Sequence, residues 1–299
     1  TPNSDNTPTI TLTAEAGSTV KVYANGALLG TATEGSAGSF SLTASALPDG
    51  NYRITATAED GAGNVSAEAT VQDVVIDAVE AGVPAIASAS LTTDATPVLS
   101  GTAEVGATVT LTVGGATYST TATDGTWSVD TGSDTPTLGT LSLDVNGTNA
   151  VSVTATDAAG NVSAAGTQTL TIDTTDPTIS SGGSASIIEN SGADQVVYTA
   201  VSGEASTFSL KAVGDYASFE LDPTTGAVRL LGNPDAETKA SYSFTVVATD
   251  AAGNTTEQAV TLSVTDIDEV APSAPSITAI TTPNSDNTPT ITLTAEAGS

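Results

Sequence analysis

The first eighteen residues of the chain, TPNSDNTPTITLTAEAGS, recur without a single change at residues 282–299. An identical segment of this length, placed that far along the chain, is specific for a tandem array. A weaker period lies inside this long repeat, because DGAGN begins at Asp60 and DAAGN begins at Asp157 and again at Asp250. The sequence therefore predicts a row of similar units, each of about 90 to 100 residues.

Apolar and polar residues alternate through 52–58, 151–155 and 244–248. Such alternation is typical of strands that bury one face. Helix signals are nearly absent, since no window has the apolar spacing of an amphipathic helix and β-branched Thr and Val dominate. The alternation and a charged fraction of only 13% argue against the disorder that acidic chains often show. We expect an all-β fold.

Short alternating strands in units of this length indicate immunoglobulin-like sandwiches. The segment LPDGNY at residues 47–52 is typical of a tyrosine corner, in which the Tyr52 hydroxyl bonds back to upstream backbone. Trp127 is expected to point into the core of the second unit. Four residue pairs suit tight reversals: Asn25-Gly26, Asp49-Gly50, Asp124-Gly125 and Asn146-Gly147.

Acidic stretches flanked by proline divide the units at residues 74–84, 170–177 and 264–272. We predict domains at 1–79, 80–176 and 177–271, with 272–299 forming the first strands of a fourth domain.

The charge balance excludes several classes of partner. Against 34 acidic residues stand five basic ones, which gives a net charge of −29. Such a chain cannot displace counterions from a nucleic-acid backbone, and it offers no basic patch to a membrane surface. No apolar run approaches the ~20 residues that span a bilayer. We therefore predict neither nucleic-acid binding nor membrane insertion.

The composition also argues against catalysis. The absence of Cys and His removes thiolate nucleophiles, zinc–sulfur sites and the commonest general base. Paired carboxylates could hydrolyse a glycoside, but such a site needs aromatic platforms, and only 4% of the residues are aromatic. Neither a GxSxG elbow nor a phosphate-binding glycine loop occurs in the sequence. We predict that the chain is not an enzyme.

Residues 187–272 resemble a cadherin repeat. The matching motifs, in order, are Glu189 in IIEN, LDPTTGAV at 221–228, Asp235-Ala236-Glu237, Ala248-Thr249-Asp250, and Asp266-Ile267-Asp268-Glu269 before Pro272. In that family the corresponding carboxylates bind Ca²⁺ between successive domains. The resemblance therefore implies a cadherin-like third sandwich with Ca²⁺ as its cofactor.

The first two units resemble the bacterial Ig-like repeats of large RTX-type biofilm adhesins. The motifs that carry this resemblance are D-x-T-P, T-A-E-x-G-(S/T)-x-V, D-(G/A)-A-G-N-V-S and I-D-T-T-D-P. The resemblance implies a secreted protein at the bacterial cell surface, exported by type I secretion. Neither RTX nonapeptides nor an EF-hand loop occurs, so we expect an extender segment and not the terminal secretion module.

Sandwich topology predicts where the acidic residues meet. The A–B and E–F loops lie at the C-terminal end of such a domain, and the B–C and F–G loops lie at its N-terminal end. The predicted first junction has Asp5, Asp77 and Glu80 facing Glu104 and Asp157; the second has Asp94, Asp173 and Asp176 facing Asp250, with Glu204 as a further candidate; the third has Glu189, Asp235, Glu237, Asp266 and Asp268 facing Glu296. Clustered carboxylates repel one another without a counterion, and oxygen ligands select Ca²⁺.

Two simpler interpretations stay open for these residues. The Asp of DAAGN could make an Asx turn, and the acidic linkers could merely be solvated. The sequences NVS at Asn64 and Asn161 and NTT at Asn254 fit a glycosylation sequon, and we interpret all three as turn residues.

The function predicted from these features is that of a structural extender. It forms an elongated rod of sandwiches, stiffened by Ca²⁺ at its junctions, that holds a distal binding domain away from the cell. Its expected partners are Ca²⁺ and the neighbouring repeats of the same chain. The alternative is a carbohydrate- or protein-binding adhesive module, against which near-perfect tandem repetition argues.

The two ends of the sequence suggest one further contact. The chain opens at Thr1 with no Met and no signal-like segment, so we expect it to be a piece of a larger protein. The strand PSITAI at residues 275–280 precedes the second copy of the repeat, and no equivalent precedes Thr1. We expect the tail of one molecule, within residues 272–299, to dock head to tail onto the first domain of another.

Overall fold

The computed structural model describes residues 2–277 and 291–294. Within these residues the chain is built from β-strands and one short 3₁₀ helix, which confirms the all-β prediction. It divides into two compact units, Thr1–Thr175 with Ala252–Asn254, and Asp176–Ala251 with Thr255–Ser299. Among the described residues, no helix is long and apolar enough to cross a membrane.

The first sandwich contains six strands in the order β1-β4-β3-β2-β5-β6. They are β1 Thr9–Thr13, β2 Thr19–Ala24, β3 Ala27–Ser36, β4 Ser39–Thr43, β5 Gly50–Glu59 and β6 Gln72–Ile76. The long strand β3 pairs with β2 through its first part and with β4 through residues 33–36, so it belongs to both layers. Val20, Val22, Phe40 and Ile54 fill the core between the layers.

A tyrosine corner closes one end of the first sandwich, as the sequence predicts. The Tyr52 hydroxyl donates a hydrogen bond to the Pro48 carbonyl, 2.7 Å away.

The second sandwich packs a six-stranded sheet, β13-β11-β10-β14-β15-β8, against a three-stranded sheet, β12-β9-β7. Its strands are β7 Ala85–Ile86, β8 Leu91–Thr92, β9 Val98–Thr102, β10 Thr108–Val113, β11 Ala116–Thr121, β12 Thr126–Asp130, β13 Leu138–Gly139, β14 Asn146–Thr156 and β15 Gly166–Asp173. Val151, Val153 and Ala155 on β14 are buried and alternate with less buried residues, as their pattern predicts.

Trp127 lies in the core of the second sandwich, where its side chain is only 3% exposed. Its Nε1 donates a hydrogen bond to the Ala85 carbonyl, 3.2 Å away. Gly101 makes this approach of β7 possible, because a Cβ at that position would lie 1.9 Å from the Ala85 oxygen. Trp127 and Gly101 together fix the first strand of this sandwich.

The third sandwich has sheets of order β16-β22-β21-β18 and β17-β20-β19. Its elements are β16 Ser184–Ile188, β17 Gln195–Thr199, β18 Thr207–Leu210, a 3₁₀ helix Tyr216–Ser218, β19 Phe219–Leu221, β20 Ala227–Leu230, β21 Ser241–Thr249 and β22 Thr255–Thr265. Strands β16 and β22 pair in parallel from Ser184↔Thr261 to Ile188↔Thr265. Tyr198, Phe219 and Phe244 form an aromatic core with ring centroids 4.5 and 5.8 Å apart.

Two further short strands follow, β23 Ser276–Ile277 and β24 Leu293–Thr294. They pair antiparallel, with Ser276 opposite Thr294 and Ile277 opposite Leu293. The proposed boundaries at 79, 176 and 271 stay a prediction.

The four predicted reversals have different outcomes. Asn25-Gly26 and Asp124-Gly125 have consecutive positive φ angles of 50° and 81° and of 51° and 80°, which suit a tight hairpin turn. Gly50 begins β5 directly after Asp49. The prediction for Asn146-Gly147 is wrong, because both residues lie inside β14, opposite Asp173 and Ile172.

Candidate functional site

Glu189 is a buried carboxylate at the end of β16, with only 2% of the residue exposed. Its Oε2 accepts a hydrogen bond from the Ala236 backbone N–H at 2.9 Å, and its Oε1 accepts one from the backbone N–H of Ile267. The Glu189 N–H in turn donates to the Thr265 carbonyl. These bonds compensate a charge that would otherwise be costly to bury, and they tie the segment after β22 to the end of the sandwich.

Two further carboxylates lie beside Glu189. Glu237 and Asp266 are exposed, and the three residues each offer a carboxylate oxygen within 4.8 Å of the others. We call Glu189, Glu237 and Asp266 the carboxylate group. The sequence placed all three residues at the third junction, and the structure brings them together.

The pKa values of Glu189 and Glu237 in the carboxylate group depart from the ordinary glutamate value in opposite directions. The backbone N–H groups of Ala236 and Ile267 hold the pKa of Glu189 below its ordinary value. A hydrogen bond from its own backbone N–H lowers the pKa of Glu237, but contact with Asp266, desolvation and the charge of Glu189 together raise it to about 6. Glu237 therefore loses its proton at a higher pH than an ordinary glutamate, near pH 6.

The donor chemistry of the carboxylate group fits a hard divalent cation. All its ligand atoms are carboxylate oxygens, and the chain contains neither His nor Cys. Such a set suits Ca²⁺ better than zinc or copper.

The other residues predicted for the third junction bond within local turns. Asp235 accepts hydrogen bonds from the Thr238 N–H and hydroxyl, both at 2.8 Å, and the Thr238 N–H lowers the pKa of Asp235. Asp268 Oδ1 accepts from the Val270 N–H at 3.0 Å. Glu296 lies outside the described residues. Calcium binding by these three residues stays a prediction.

The first junction is held by contacts that need no metal. The Asn161 side-chain amide donates to the Asp77 carbonyl at 2.8 Å, and the Gly82 N–H donates to Glu104 Oε2 at 3.4 Å. Between them, Ala81 is only 5% exposed and packs in a small cluster with Ala107 and Ala155. The linker is therefore pinned to the second sandwich by hydrogen bonds and apolar packing.

Asp157 fits the Asx-turn interpretation of the DAAGN motif. Its Oδ1 accepts from the backbone N–H groups of Ala159, Gly160 and Asn161, and its Oδ2 accepts from the Asn161 side chain at 2.8 Å. The Asn161 side chain is the main cause of the lowered pKa of Asp157. The carboxylate is thus largely occupied by its own turn.

The acidic residues predicted for the first junction do not converge as those of the third do. Asp5 Oδ1 accepts from the Thr7 N–H at 2.8 Å and from the Thr7 hydroxyl at 2.9 Å. Within the described part of the chain, no three of the predicted first-junction residues bring their carboxylate oxygens within 4.8 Å of one another; these are Asp5, Asp77, Glu80, Glu104 and Asp157. Calcium at this junction stays a prediction.

The residues predicted for the second junction are divided between the two compact units. Calcium binding by these residues also stays a prediction. Asp94 Oδ1 accepts from the Thr96 N–H at 2.9 Å, which repeats the turn at Asp5. Asp173 Oδ1 accepts from the Thr175 N–H at 3.1 Å. Asp176 and Glu204 are the remaining members, and Asp250, which follows β21, is buried.

Sequence reasoning assigned Asn161 to a turn and missed its contact with the linker. The equivalent residue Asn64 donates to Asp60 Oδ2 at 2.8 Å, as a turn residue does. Asn161 makes the same bond and also reaches the Asp77 carbonyl. The available signal for such a contact was the recurrence of Asn at the end of DGAGN and DAAGN in a chain whose units are separated by the acidic linkers 74–84 and 170–177.

The chain was compared with curated proteins and with solved structures. No curated protein matches it. Among solved structures, it is similar to a 1.5-MDa bacterial ice-binding adhesin, with 21% identity over 89% of this chain and 92% of the other, at a TM-score of 0.39. It is also similar to the third cadherin domain of human protocadherin 7, with 22% identity over 32% of this chain and 92% of the other, at a TM-score of 0.29.

A third similar structure contains the fibronectin(III)-like modules of Clostridium thermocellum CbhA. Its identity is 16% over 55% of this chain and 85% of the other, at a TM-score of 0.34. Residues 3–78 and 85–174 match the family described as "Bacterial Ig-like domain", and these two matches cover the first two sandwiches and more than half of the sequence. The chain therefore belongs to the bacterial Ig-like domain family.

Proposed function

We propose that the chain is an extender segment of a secreted bacterial adhesin, in which tandem sandwiches hold a distal binding domain away from the cell. Membership of the bacterial Ig-like family supports this proposal. The unchanged recurrence of residues 1–18 at 282–299 supports it further, because a spacer is copied along a chain whereas a ligand-binding tip is usually unique. The resemblance to RTX-type biofilm adhesins extends the proposal to the cell surface and to type I secretion.

Calcium at the end of the third sandwich is the second part of the proposal. The observation that carries it is the convergence of Glu189, Glu237 and Asp266, with Glu189 buried and fixed by two backbone N–H groups. A bound Ca²⁺ would supply the positive charge that allows all three carboxylates to be ionised together. Asp235 and Asp268 are the nearest candidates in sequence for further oxygen ligands, since Ca²⁺ takes about 6 to 8 of them.

The carboxylate group lies at the end of the third sandwich from which the chain continues after β22, and an extender would need this connection to be rigid. Glu189 bonds to the N–H of Ile267, in the segment that leaves β22 toward the following repeat. Ionised Glu237 and Asp266 repel Glu189 and would loosen this segment. Neutralising their charge would therefore stiffen the connection to the next repeat. The first junction is already held by Asn161 and Ala81, so it depends less on calcium.

Small-angle scattering with Ca²⁺ and with excess EGTA tests the proposal. When calcium is removed, we expect the chain to become more flexible and its maximum dimension in scattering to change. We also expect the melting temperature of the third sandwich, measured by thermal unfolding, to fall. A ligand that binds only the folded state stabilises it by about 2.7 kcal/mol at a hundred times Kd. If neither quantity changes, the calcium part of the proposal is wrong.

A matched pair of variants locates the site. Asp266→Asn removes one member of the carboxylate group, and calorimetric titration should show at least a tenfold loss of calcium affinity. Asp222→Asn is the control, because Asp222 Oδ1 accepts from the backbone N–H groups of Thr224 and Thr225 in the hairpin between β19 and β20. Equal losses of calcium affinity in both variants would show that the carboxylate group is not the calcium site.

A further inference from the structure

Glu237 of the carboxylate group lies in a turn of residues 235–239, between β20 and β21. The turn is closed by its own backbone, because the Lys239 N–H donates a hydrogen bond to the Asp235 carbonyl at 2.9 Å. Glu237 is exposed in the middle of this turn. A contact that fixes Lys239 to the sandwich therefore also limits the movement of Glu237.

The side chain of Lys239 is fixed to the third sandwich at two places. Its ammonium group forms an ion pair with the Asp215 carboxylate. The same Nζ lies 4.8 Å from the centroid of the Tyr242 ring, which is close enough for a cation–π contact. Tyr242 in turn packs edge-on against Phe219, with ring centroids 5.8 Å apart, beside the aromatic core. Lys239 thus connects the turn to the packed interior of the sandwich.

Asp215, the partner of Lys239, is itself held against β21. Its N–H donates to the Ser243 carbonyl at 2.7 Å, and its Oδ2 accepts from the Ser243 N–H at 2.8 Å. Gly214 allows this approach, because its φ is 60° and a Cβ there would lie 2.6 Å from the Ser243 oxygen. The Oδ1 of Asp215 accepts the hydrogen bond from Lys239, which is the main cause of the lowered pKa of Asp215. The lysine is therefore bound to a fixed, charged acceptor.

We propose that Lys239 is a positioning residue of the carboxylate group. Through its contacts with the sandwich, it holds the turn so that the Ala236 N–H stays bonded to Glu189 Oε2 and Glu237 stays within the carboxylate group. Like charges within the group push Glu237 outward, and the anchored lysine opposes that movement. This placement of the turn needs no ion, and only the expected effect on calcium affinity rests on the proposed function.

Amide hydrogen exchange in excess EGTA tests the placement of the turn without a metal. Lys239→Met keeps a side chain of similar length and removes its charge, so the Ala236 N–H should exchange roughly tenfold faster than in the unmodified chain. The Val246 N–H, in the middle of β21, is the internal reference, because general destabilisation would speed exchange there as well. An equal change at both amides, or no change at Ala236, would overturn the inference.

Two further variants separate the Lys239 contacts from a general effect of lost charge. Lys211→Met is the matched control, because Lys211 Nζ bonds to the Glu257 carboxylate oxygens of the same sandwich at 2.8 and 2.7 Å. It should leave the exchange of Ala236 unchanged. Lys239→Arg keeps the charge and can stack on Tyr242, so exchange should stay within about twofold of the unmodified chain. Exchange as fast in either of these variants as in Lys239→Met would contradict the proposed role.

Asp215→Asn covers the case in which Lys239→Met does not fold. It removes the negative partner of Lys239, while the asparagine oxygen can still accept from the Ser243 N–H, and Ala236 should again exchange roughly tenfold faster. Where both variants fold, the double variant should exchange little faster than either one, because both changes break the same pair. Fully additive effects would show that the two residues act separately, and would overturn the inference.

Calorimetric titration with calcium chloride measures the consequence for the proposed site. Lys239→Met should bind Ca²⁺ roughly tenfold more weakly than the unmodified chain, as is typical when a residue that orients ligands is lost. Lys211→Met should bind as the unmodified chain does, and equal affinity of the two variants would contradict the positioning role. If the unmodified chain takes up no Ca²⁺, the calcium part of the proposed function is wrong, and the exchange of Ala236 alone decides the inference.

Discussion

The side-chain amide of Asn161 donates a hydrogen bond to the backbone carbonyl of Asp77, which lies 2.8 Å away and 84 residues earlier in the chain. The bond joins the DAAGN turn of the second sandwich to the linker that follows the first. A turn residue thereby becomes part of the joint between two repeats.

Replacing Asn161 by alanine should weaken this joint. We expect Asn161→Ala to lose about 0.5–1.5 kcal/mol more unfolding free energy than Asn64→Ala. Asn64 is a matched control, because each asparagine bonds to the Asp of its own turn at 2.8 Å and only Asn161 is bonded to the linker. Urea unfolding of both variants measures the difference, and equal losses would contradict a role at the joint.

Gly101 should resist any side chain. A Cβ there would lie 1.9 Å from the Ala85 oxygen and 2.9 Å from Trp127 Cε2, so Gly101→Ala should push β7 away and cost about 1–3 kcal/mol. Urea unfolding followed by circular dichroism measures the loss in each variant, and Trp127 fluorescence identifies the transition of this sandwich. The control is Gly61→Ala, since nothing lies within 4 Å of a Cβ at Gly61 and the equivalent position in the second sandwich is Ala158. A similar loss in both variants would argue against the close approach.

Two tyrosines should respond oppositely to removal of their hydroxyls. Tyr52→Phe loses the 2.7 Å bond to the Pro48 carbonyl and should cost about 1 kcal/mol. Tyr118→Phe should be neutral or stabilising, because among the described residues the buried Tyr118 hydroxyl has no hydrogen-bond partner. Thermal unfolding of the two variants decides this, and a larger loss for Tyr118→Phe would refute it.

The carboxylate group should make stability and calcium affinity depend on pH in opposite directions. The pKa of Glu237 is raised from 4.5 to about 6. Its stabilising contribution is therefore complete below pH 4.5 and is lost as the pH rises through about 6. Without calcium, the third sandwich should become more stable as the pH falls from 7 to 5, as thermal unfolding would show.

The lowered pKa values of Glu189 and Asp235 act in the opposite sense. Their contributions are present above the ordinary carboxylate pKa and are lost only in more acidic solution. Calcium affinity should fall from pH 7 to pH 5, because Glu237 must lose its proton on binding. Calorimetry in buffers of different ionisation enthalpy should show proton uptake by the buffer near pH 6. Glu237→Gln should abolish this signal, and an unchanged signal would exclude Glu237 as its source.

The fold was largely predictable, because burial of one face imposes alternation on the sequence. Phe244, Val246 and Ala248 alternate along β21 and are all buried. Asn146-Gly147 shows the limit of local signals. The pair has turn chemistry, but its residues complete the β14–β15 ladder, and Asn146 Oδ1 accepts from the Thr174 N–H. Tertiary pairing decided the conformation there.

The candidate site was predictable only in part. Resemblance to a cadherin repeat identified Glu189, Glu237 and Asp266, which come from three separate segments of the third sandwich. Local competition for hydrogen bonds was visible in the sequence only as an open alternative, the Asx turn at the Asp of DAAGN. Asp157 satisfies its carboxylate within its own turn, and the linker beside it is held by Asn161 and Ala81. Which partner a carboxylate chooses depends on side-chain direction, and spacing alone does not determine it.

The parallel pairing of β16 with β22 bears on how the protein responds to tension. These are the first and last strands of the third sandwich, so a pull on its two ends drags them in opposite directions along their length. All the residue pairs from Ser184↔Thr261 to Ile188↔Thr265 must then slide at once. The second sandwich has only the pairs Thr171↔Leu91 and Ile172↔Thr92 in this arrangement.

In the first sandwich, the described residues supply the single bridge Asn3↔Ile76 between its leading segment and its last strand. In single-molecule stretching we expect the third sandwich to rupture at a higher force than the second. A chain built this way would lengthen in steps under flow, because the repeat with the lowest rupture force unfolds first and its extension limits the tension on the others.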